Sequence, residues 1–344
     1  MKIVMTGPLN PGSITEARRK ALLELGHEVL IVDQVPYFRK SVFGKIQTRL
    51  VWGPAVRRYE RDLHIATSAA KPDLLLVDNA IYLSSACVQE INRHCGMSVH
   101  YTSEYLGWHS YIFRRLSRAT PFYHAHVITN ALNAPIMRTW GAKNIIFTEF
   151  GFDPEVHRRV EVASDEGSRF ACDVAFGGHW EPFYEKMLRA LYDSGVELRV
   201  CGPNWHRARW LRGKMRLGRV SLVDYQKLLS SAKIGVTLLS KWNHNTSGGR
   251  TFEVPAFGTF LLAERTSEQL SYFTEGVEAE FFSSQEELVH KTQCYLKDAE
   301  KRAVIADAGH RRCLTSGYTY KDRMDLLLRD LRTAGDCMPA GWIN

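Results

Sequence analysis

The chain has 344 residues, 45% hydrophobic and 24% charged, with 25 Gly against 12 Pro; these are the proportions of a folded soluble protein of about two domains and exclude a disordered, collagen-like or low-complexity chain. Lys and Arg number 45 against 37 Asp and Glu, a net charge of +8, so an acidic partner is expected: nucleic acid, an anionic membrane or a phosphorylated substrate. The seven Cys, at 87, 95, 172, 201, 294, 313 and 337, include no Cys-x-x-Cys pair, which suggests neither a disulfide framework nor a zinc site and makes the reducing cytosol the expected compartment.

The amino terminus reaches Gly7-Pro8 after only a few apolar residues, short of the roughly 7 to 15 of a secretory leader. No apolar run approaches the ~20 residues of a spanning helix, so membrane contact is expected to be peripheral. Residues 2–6 predict a buried strand, followed by a loop, a helix to Leu25 and a second strand over 28–32, a βαβ unit. The loop Gly7-Pro8-Leu9-Asn10-Pro11-Gly12-Ser13 lacks dinucleotide-site spacing and the Lys of a Walker loop, and is expected to line a cleft. Pro72-Asp73 leads into a strand over 74–77 that ends in Asp78, at the edge where open α/β sheets place ligands. Apolar runs at 98–101, 126–129 and 144–147 continue the alternation. After the first of them, Tyr101-Thr102-Ser103-Glu104-Tyr105-Leu106-Gly107-Trp108-His109 gathers a carboxylate, an imidazole and aromatic rings. Glu104 or His109 is a candidate to activate an acceptor hydroxyl, against the plainer alternative that each is structural.

Residues 153–169 are charged without apolar period and read as an interdomain linker. Beyond them strands are predicted over 172–176, 197–201, 219–222, 233–239, 259–263 and 280–282, and 285–332 is almost wholly helical by period. The domains expected are 1–152 and 170–330, with a tail over 331–344: two doubly wound α/β domains facing each other across a central cleft. In the second, Phe176-Gly177-Gly178-His179-Trp180 ends the first strand, where Gly178 allows close backbone approach to phosphate and His179 can donate to it. A tight turn with a packed Trp explains the same residues equally well. Cys201-Gly202-Pro203-Asn204-Trp205 ends the next strand. Further on, Ser247-Gly248-Gly249 opens a helix whose unsatisfied N–H groups and dipole can hold a diphosphate. Arg250 and Glu253 follow on adjoining faces of its first turns, placed for phosphate and for sugar hydroxyls; by itself such a pair is also a common surface ion pair.

The run Arg250-Thr251-Phe252-Glu253-Val254-Pro255-Ala256-Phe257-Gly258-Thr259-Phe260-Leu261-Leu262 is followed by Phe281-Phe282, Glu286-Glu287-Leu288, Ile305-Ala306-Asp307-Ala308-Gly309-His310-Arg311-Arg312 and Tyr318-Thr319-Tyr320-Lys321-Asp322-Arg323. Together these resemble the carboxy-terminal domain of group 1 glycosyltransferases, in particular the spore-maturation (CgeB-like) branch. The resemblance covers about residues 170–330; the amino half shares it in outline, through Leu25-Gly26-His27-Glu28-Val29 and Lys71-Pro72-Asp73-Leu74. It implies a GT-B fold of two Rossmann-like domains, with a nucleotide-sugar donor held mainly by the second and the acceptor mainly by the first. Glu253 matches the glutamate that binds the donor ribose. Asn245 stands where many retaining relatives carry a second glutamate, and is a candidate for a donor hydroxyl or a turn former. With the residues placed at the strand ends and the helix start, the donor set expected is Gly178, His179, Gly202, Asn245, Ser247, Gly248, Gly249, Arg250 and Glu253.

The reaction implied is glycosyl transfer with retention, the leaving diphosphate stabilised by helix N–H groups and Arg250. No Asp-x-Asp motif is present, in line with metal-free chemistry and no cofactor beyond the donor. An inverting course requires a base, Glu104 or His109. The acceptor expected is a saccharide or a lipid-linked saccharide of cell-surface polysaccharide or glycoconjugate synthesis. Alternatives are a nucleotide-sugar epimerase of the same fold, a glycosyltransferase that modifies nucleic acid, or a silent scaffold; no RNA-binding, zinc-finger or helix-turn-helix signature supports simple nucleic-acid binding. Arg39, Lys40, Lys45, Arg49, Arg57, Arg58 and Arg61 face only Glu60 and Asp62 between 34 and 62, among Tyr37, Phe38, Val42, Phe43, Leu50, Val51 and Trp52. Arg114, Arg115 and Arg118 lie beside Trp108, Tyr111, Ile112 and Phe113. Both stretches suit an anionic membrane surface or are ordinary solvated faces, so the location expected is cytoplasmic with peripheral attachment to the inner membrane face. A third basic run, 207–219, lies in the donor half.

Overall fold

Short, largely apolar runs alternating with amphipathic stretches build two parallel sheets in a computed structural model that describes residues 1–38, 42–107, 111–163 and 166–333. The chain divides into one unit containing Met1–Glu149 together with the last helix, and a second unit, Phe150–Thr319.

In the first unit, strands β1 (Lys2–Gly7), β2 (Glu28–Asp33), β3 (Leu74–Asp78), β4 (Met97–Thr102), β5 (Ala125–Ile128) and β6 (Ile145–Phe147) alternate with helices α1 (Ile14–Glu24), α2 (Val42–Leu50), α3 (Pro54–Ala70), α4 (Ser85–Ile91), α5 (Arg114–Ala119) and α6 (Asn133–Thr139). The sheet order is β2-β1-β3-β4-β5-β6, every pairing parallel. Both faces are therefore covered: β1 and β3 read as nearly continuous apolar runs, while β4 alternates apolar with polar residues yet is buried along its whole length. Ser13 starts α1 by accepting the Glu16 N–H at 3.2 Å.

The second unit holds α7 (Gly167–Phe170), β7 (Cys172–Gly177), α8 (Pro182–Asp193), β8 (Leu198–Cys201), β9 (Arg216–Gly218), α9 (Leu222–Ser231), β10 (Ala232–Thr237), α10 (Gly249–Ala256), β11 (Phe260–Glu264), α11 (Ser267–Tyr272), β12 (Glu280–Phe282), α12 (Gln285–Lys297) and α13 (Ala299–Thr315). Its sheet order is β12-β11-β10-β7-β8-β9, again all parallel. The chain winds outward from β7 to β9, returns to β10 on the other side of β7 and winds outward again. The reversal opens a crevice between the carboxyl ends of β7 and β10, where doubly wound sheets bind ligands.

Three expectations change. The second domain does not extend to 330: α14 (Tyr320–Thr333) belongs to the first unit, where Met324, Leu327, Leu328 and Leu331 join the core that α1 and the sheet bury. Hydrophobic burial therefore overrides sequence order, and of the expected tail only 331–333 is described, as the end of that helix. Residues 153–169 are not a free linker, since Phe152 is fully buried and bonds from its N–H to the Tyr318 carbonyl at 3.1 Å. Gln226 and Ser230 hold the backbone at Val156 and Val160. Finally, 219–222 is not a strand: β9 ends at Gly218, and Ser221 caps α9 by accepting the Asp224 N–H at 3.0 Å, so the cap outweighs the apolar run behind it.

Candidate functional site

The crevice of the second sheet is lined by two turns and one loop. Gly177 and Gly178 leave β7, Gly202 leaves β8, and the loop from Ser240 to Gly248 joins β10 to α10. The turns after β7 and β8 touch: Gly202 adopts φ +130°, and a Cβ there would lie 1.9 Å from the Gly178 carbonyl oxygen. That oxygen also accepts the Trp205 indole N–H at 2.8 Å. Glycine at 202 is thus a requirement of close backbone approach.

Arg250, in the first turn of α10, reaches back across the crevice and donates from Nε to the Gly177 carbonyl at 2.9 Å. Nε also lies 3.6 Å from Glu253 Oε2, and the side chain stays 41% exposed. Its terminal nitrogens enter no hydrogen bond among the described residues, so they remain available to an anion beside the first-turn N–H groups of α10. Glu253 is 8% exposed. Tyr225 from α9 donates to its Oε2 at 3.1 Å, and His157 Nε2 lies 3.8 Å from the same oxygen. His157 Nδ1 accepts the Asp153 N–H at 3.0 Å, which puts the ring proton on Nε2, facing the carboxylate. Burial pushes the Glu253 carboxyl up, but Arg250, His157 and Tyr225 outweigh it and hold it below the ordinary range. Glu253 raises Arg250 in turn. The result is a carboxylate and a guanidinium, both ionised, side by side at the switch point.

The other donor candidates form a second cluster on the loop. Glu181, 1% exposed, accepts from Ser240 Oγ at 2.5 Å, from the Lys241 N–H at 3.0 Å and from His179 Nε2 at 2.8 Å, so it clamps the loop to the start of α8. His179 stacks on Trp242, ring centroids 5.9 Å apart, and is engaged by Glu181 where a role toward phosphate was expected. Ser247 is buried and gives its hydroxyl proton to Glu268 at 2.6 Å. The Gly248 N–H is taken by Thr251 Oγ1 at 3.2 Å. Asn245 is half-buried, its N–H donating to the Ser240 carbonyl at 3.1 Å. At Gly249 a Cβ would fall 2.7 Å from Glu253 Oε1, so that oxygen faces the helix start.

In the first unit Glu104 is exposed on the loop after β4, its carbonyl accepting from Asn133 Nδ2 at 2.8 Å. His109 and Trp108 lie outside the described residues. Asp78, at the carboxyl end of β3, is fully buried and takes Arg18 Nη1 at 2.5 Å, with Arg18 stacked 3.5 Å above the Tyr101 ring, an ion pair inside the first unit. Arg250, Glu253, Gly178 and Gly202 are therefore brought together with two residues that sequence reasoning passed over, His157 and Glu181. His157 lies in the charged stretch 153–169, which has no apolar period, and Glu181 stands just before Pro182 at the start of α8, where its position signals only a helix start.

Residues 181–329 match the family model described as glycosyl transferase-like. Solved structures similar over nearly the whole chain include Alr3699/HepE of Anabaena in complex with UDP and glucose, 15% identical over 97% of this chain and 100% of that one, TM-score 0.62. Sucrose-phosphate synthase of Thermosynechococcus elongatus is 10% identical over 97% and 99%, TM-score 0.66. A glycosyltransferase of Rickettsia africae is 8% identical over 98% and 99%, TM-score 0.68. No curated protein matches the chain. The architecture is that of the GT-B glycosyltransferase structures, and residues 181–329 are similar to the glycosyl transferase-like family.

Proposed function

We propose that the protein transfers a glycosyl group from a nucleotide-sugar donor to a saccharide or lipid-linked saccharide acceptor, in the synthesis of a surface polysaccharide or glycoconjugate. The observation that carries this reading is the ionised Arg250 and Glu253 pair at the switch point of the glycosyl transferase-like region. Arg250 and the first-turn N–H groups of α10 receive the diphosphate, and Glu253 accepts from ribose hydroxyls. In the step itself the bond from the sugar's anomeric carbon to the diphosphate oxygen breaks, one to the acceptor oxygen forms, and on the retaining course the acceptor's hydroxyl proton passes to the leaving diphosphate. Negative charge grows on the diphosphate, where fixed N–H dipoles and a guanidinium lower the barrier. These groups supply the positive charge in place of a metal. Retention is the course proposed, and under inversion Glu104 or His109 takes the acceptor proton. The HepE structure contains UDP, which supports a nucleoside diphosphate as the ligand class. The reading places the enzyme in the cytoplasm, with the basic surface of the first unit against the inner membrane face.

Thermal unfolding with UDP, GDP and dTDP tests the donor site: a nucleotide held at 100 times its Kd stabilises by about 2.7 kcal/mol through mass action. At least one should raise Tm, and Glu253→Ala should abolish that shift while its circular dichroism stays unchanged. A chain that none of the three stabilises would sink the proposal. A donor-hydrolysis screen over nucleotide sugars then separates the chemistries: free sugar and nucleoside diphosphate indicate transfer, and an epimerised donor indicates the epimerase.

A further inference from the structure

We propose that His64, Glu90 and His94 form a binding site for one divalent cation of the zinc class. The three residues come from two helices of the first unit and the turn after one of them: His64 from α3, Glu90 from the last turn of α4 and His94 from the turn that follows it. One ligating atom from each lies within 4.8 Å of the other two. A tetrahedral cation with metal–nitrogen bonds of about 2.0 to 2.1 Å holds its ligands roughly 3.4 Å apart, so closure takes side-chain rotations of about 1 Å. The His64 and His94 rings stand 5.5 Å apart, and His94 Nε2 lies 4.0 Å from Glu90 Oε1. Arg93 Nη1 donates to the other carboxylate oxygen, Oε2, at 2.6 Å, which orients Glu90 as an outer-shell partner orients a ligand. Ser68 Oγ steadies the His64 ring from 3.3 Å.

Two imidazoles and one carboxylate suit Zn²⁺, which takes nitrogen and oxygen ligands and leaves a fourth position to water. Mg²⁺ and Ca²⁺ demand oxygen shells that this trio does not offer. All three side chains are half-buried, so an ion can enter from solvent and, once bound, ties α3 to α4. The donor-site reading uses none of these residues, and the two inferences stand or fall separately.

The test is calorimetric titration of the full chain, stripped with chelator, with ZnCl₂ and with MgCl₂. One equivalent of Zn²⁺ should bind, Mg²⁺ should not, and Tm should rise with Zn²⁺. His64→Ala and His94→Ala should each weaken binding at least as much as loss of an outer-shell partner does, roughly 10- to 100-fold, with unchanged circular dichroism in chelator. If either alanine variant fails to fold, His94→Gln or His64→Gln takes its place. Cys294 Sγ lies 3.6 Å from His290 Nε2 on α12, a competing pair, so Cys294→Ser should leave the stoichiometry and affinity as they were. Absence of Zn²⁺ binding, wild-type affinity in either histidine variant, equal binding of Mg²⁺, or loss of binding in Cys294→Ser overturns the proposal.

Discussion

At Glu253 the two carboxylate oxygens have different neighbours. Tyr225, His157 and Arg250 all address Oε2, while Oε1 faces the start of α10, 2.7 Å from where a Cβ on Gly249 would sit. Gly249→Ala therefore meets the end of a side chain, which can swing aside. The variant should fold, but with Glu253 displaced its nucleotide affinity should fall about tenfold, a loss of about 1.4 kcal/mol. Gly202→Ala is the opposite case, because its Cβ would meet the Gly178 carbonyl at 1.9 Å from a φ of +130°, and backbone cannot swing. Strain and overpacking each cost about 1 to 3 kcal/mol, so a stability loss of about 2 to 6 kcal/mol is expected in urea unfolding. Equal urea midpoints for the two variants would show that the turns after β7 and β8 do not meet as described.

Among the elements, β4 and β5 carry an unusual pair. His100 and His126 face each other in register, rings 5.5 Å apart, both fully buried. His126 Nε2 donates to the Thr120 carbonyl at 3.0 Å, whereas neither ring nitrogen of His100 has a partner among the described residues. Burial pushes His126 down to about 4 and His100 well below its ordinary value, with His126 adding to the effect. Both are neutral in the fold and protonate freely once unfolded, so the unfolded state binds more protons below pH ~6.5. Stability should accordingly fall from about pH 6.5 toward pH 4, by up to about 1.4 kcal/mol per pH unit for each histidine. His100→Leu removes one of them, and urea unfolding at pH 7.5 and pH 5.0 should show a smaller loss on acidification than in the wild type. An identical loss in both proteins would mean that His100 does not carry the acid limb. The strands themselves were legible because parallel strands buried on both faces are short apolar runs. The misplacement at 219–222 came from a helix cap whose signal, Ser221 with Asp224, competes with an apolar run that suits strand and helix alike. Arg250 and Glu253 were legible because both sit in one turn of one helix. His157 and Glu181 were not, since they reach their partners only through the winding of the sheet, and residue spacing carries no trace of that.

For the whole molecule, the charge of +8 matters by where the fold leaves it unpaired. Arg115, one of the residues expected on a basic surface, turns inward: Nη2 meets Glu60 at 2.5 Å and Nε donates to the Tyr82 carbonyl at 2.5 Å. Arg58 and Arg61 both lie beside Asp62, at 3.7 and 2.9 Å. Arg39 and Lys40 lie outside the described residues. Arg49, Arg114 and Arg118 stay exposed, and at the junction of α2 and α3 Leu50 and Trp52 are 63% and 62% exposed, with the Arg57 guanidinium 5.7 Å from the Trp52 ring. A half-exposed Ile46 extends the same apolar edge. An indole with a cation at its face and aliphatic side chains beside it is suited to the headgroup boundary of an anionic bilayer. Among the described residues no helix is long and apolar enough to cross a membrane. Co-sedimentation with vesicles containing phosphatidylserine should show binding that weakens with salt. Arg57→Ala should lower the partition about fivefold, since each basic residue near such a surface contributes about 1 kcal/mol. Trp52→Ser should lower it at least as far by removing the ring that enters the boundary. Binding that matches neutral phosphatidylcholine vesicles, or that neither substitution changes, would remove the membrane from the list of partners and leave the acceptor a soluble saccharide.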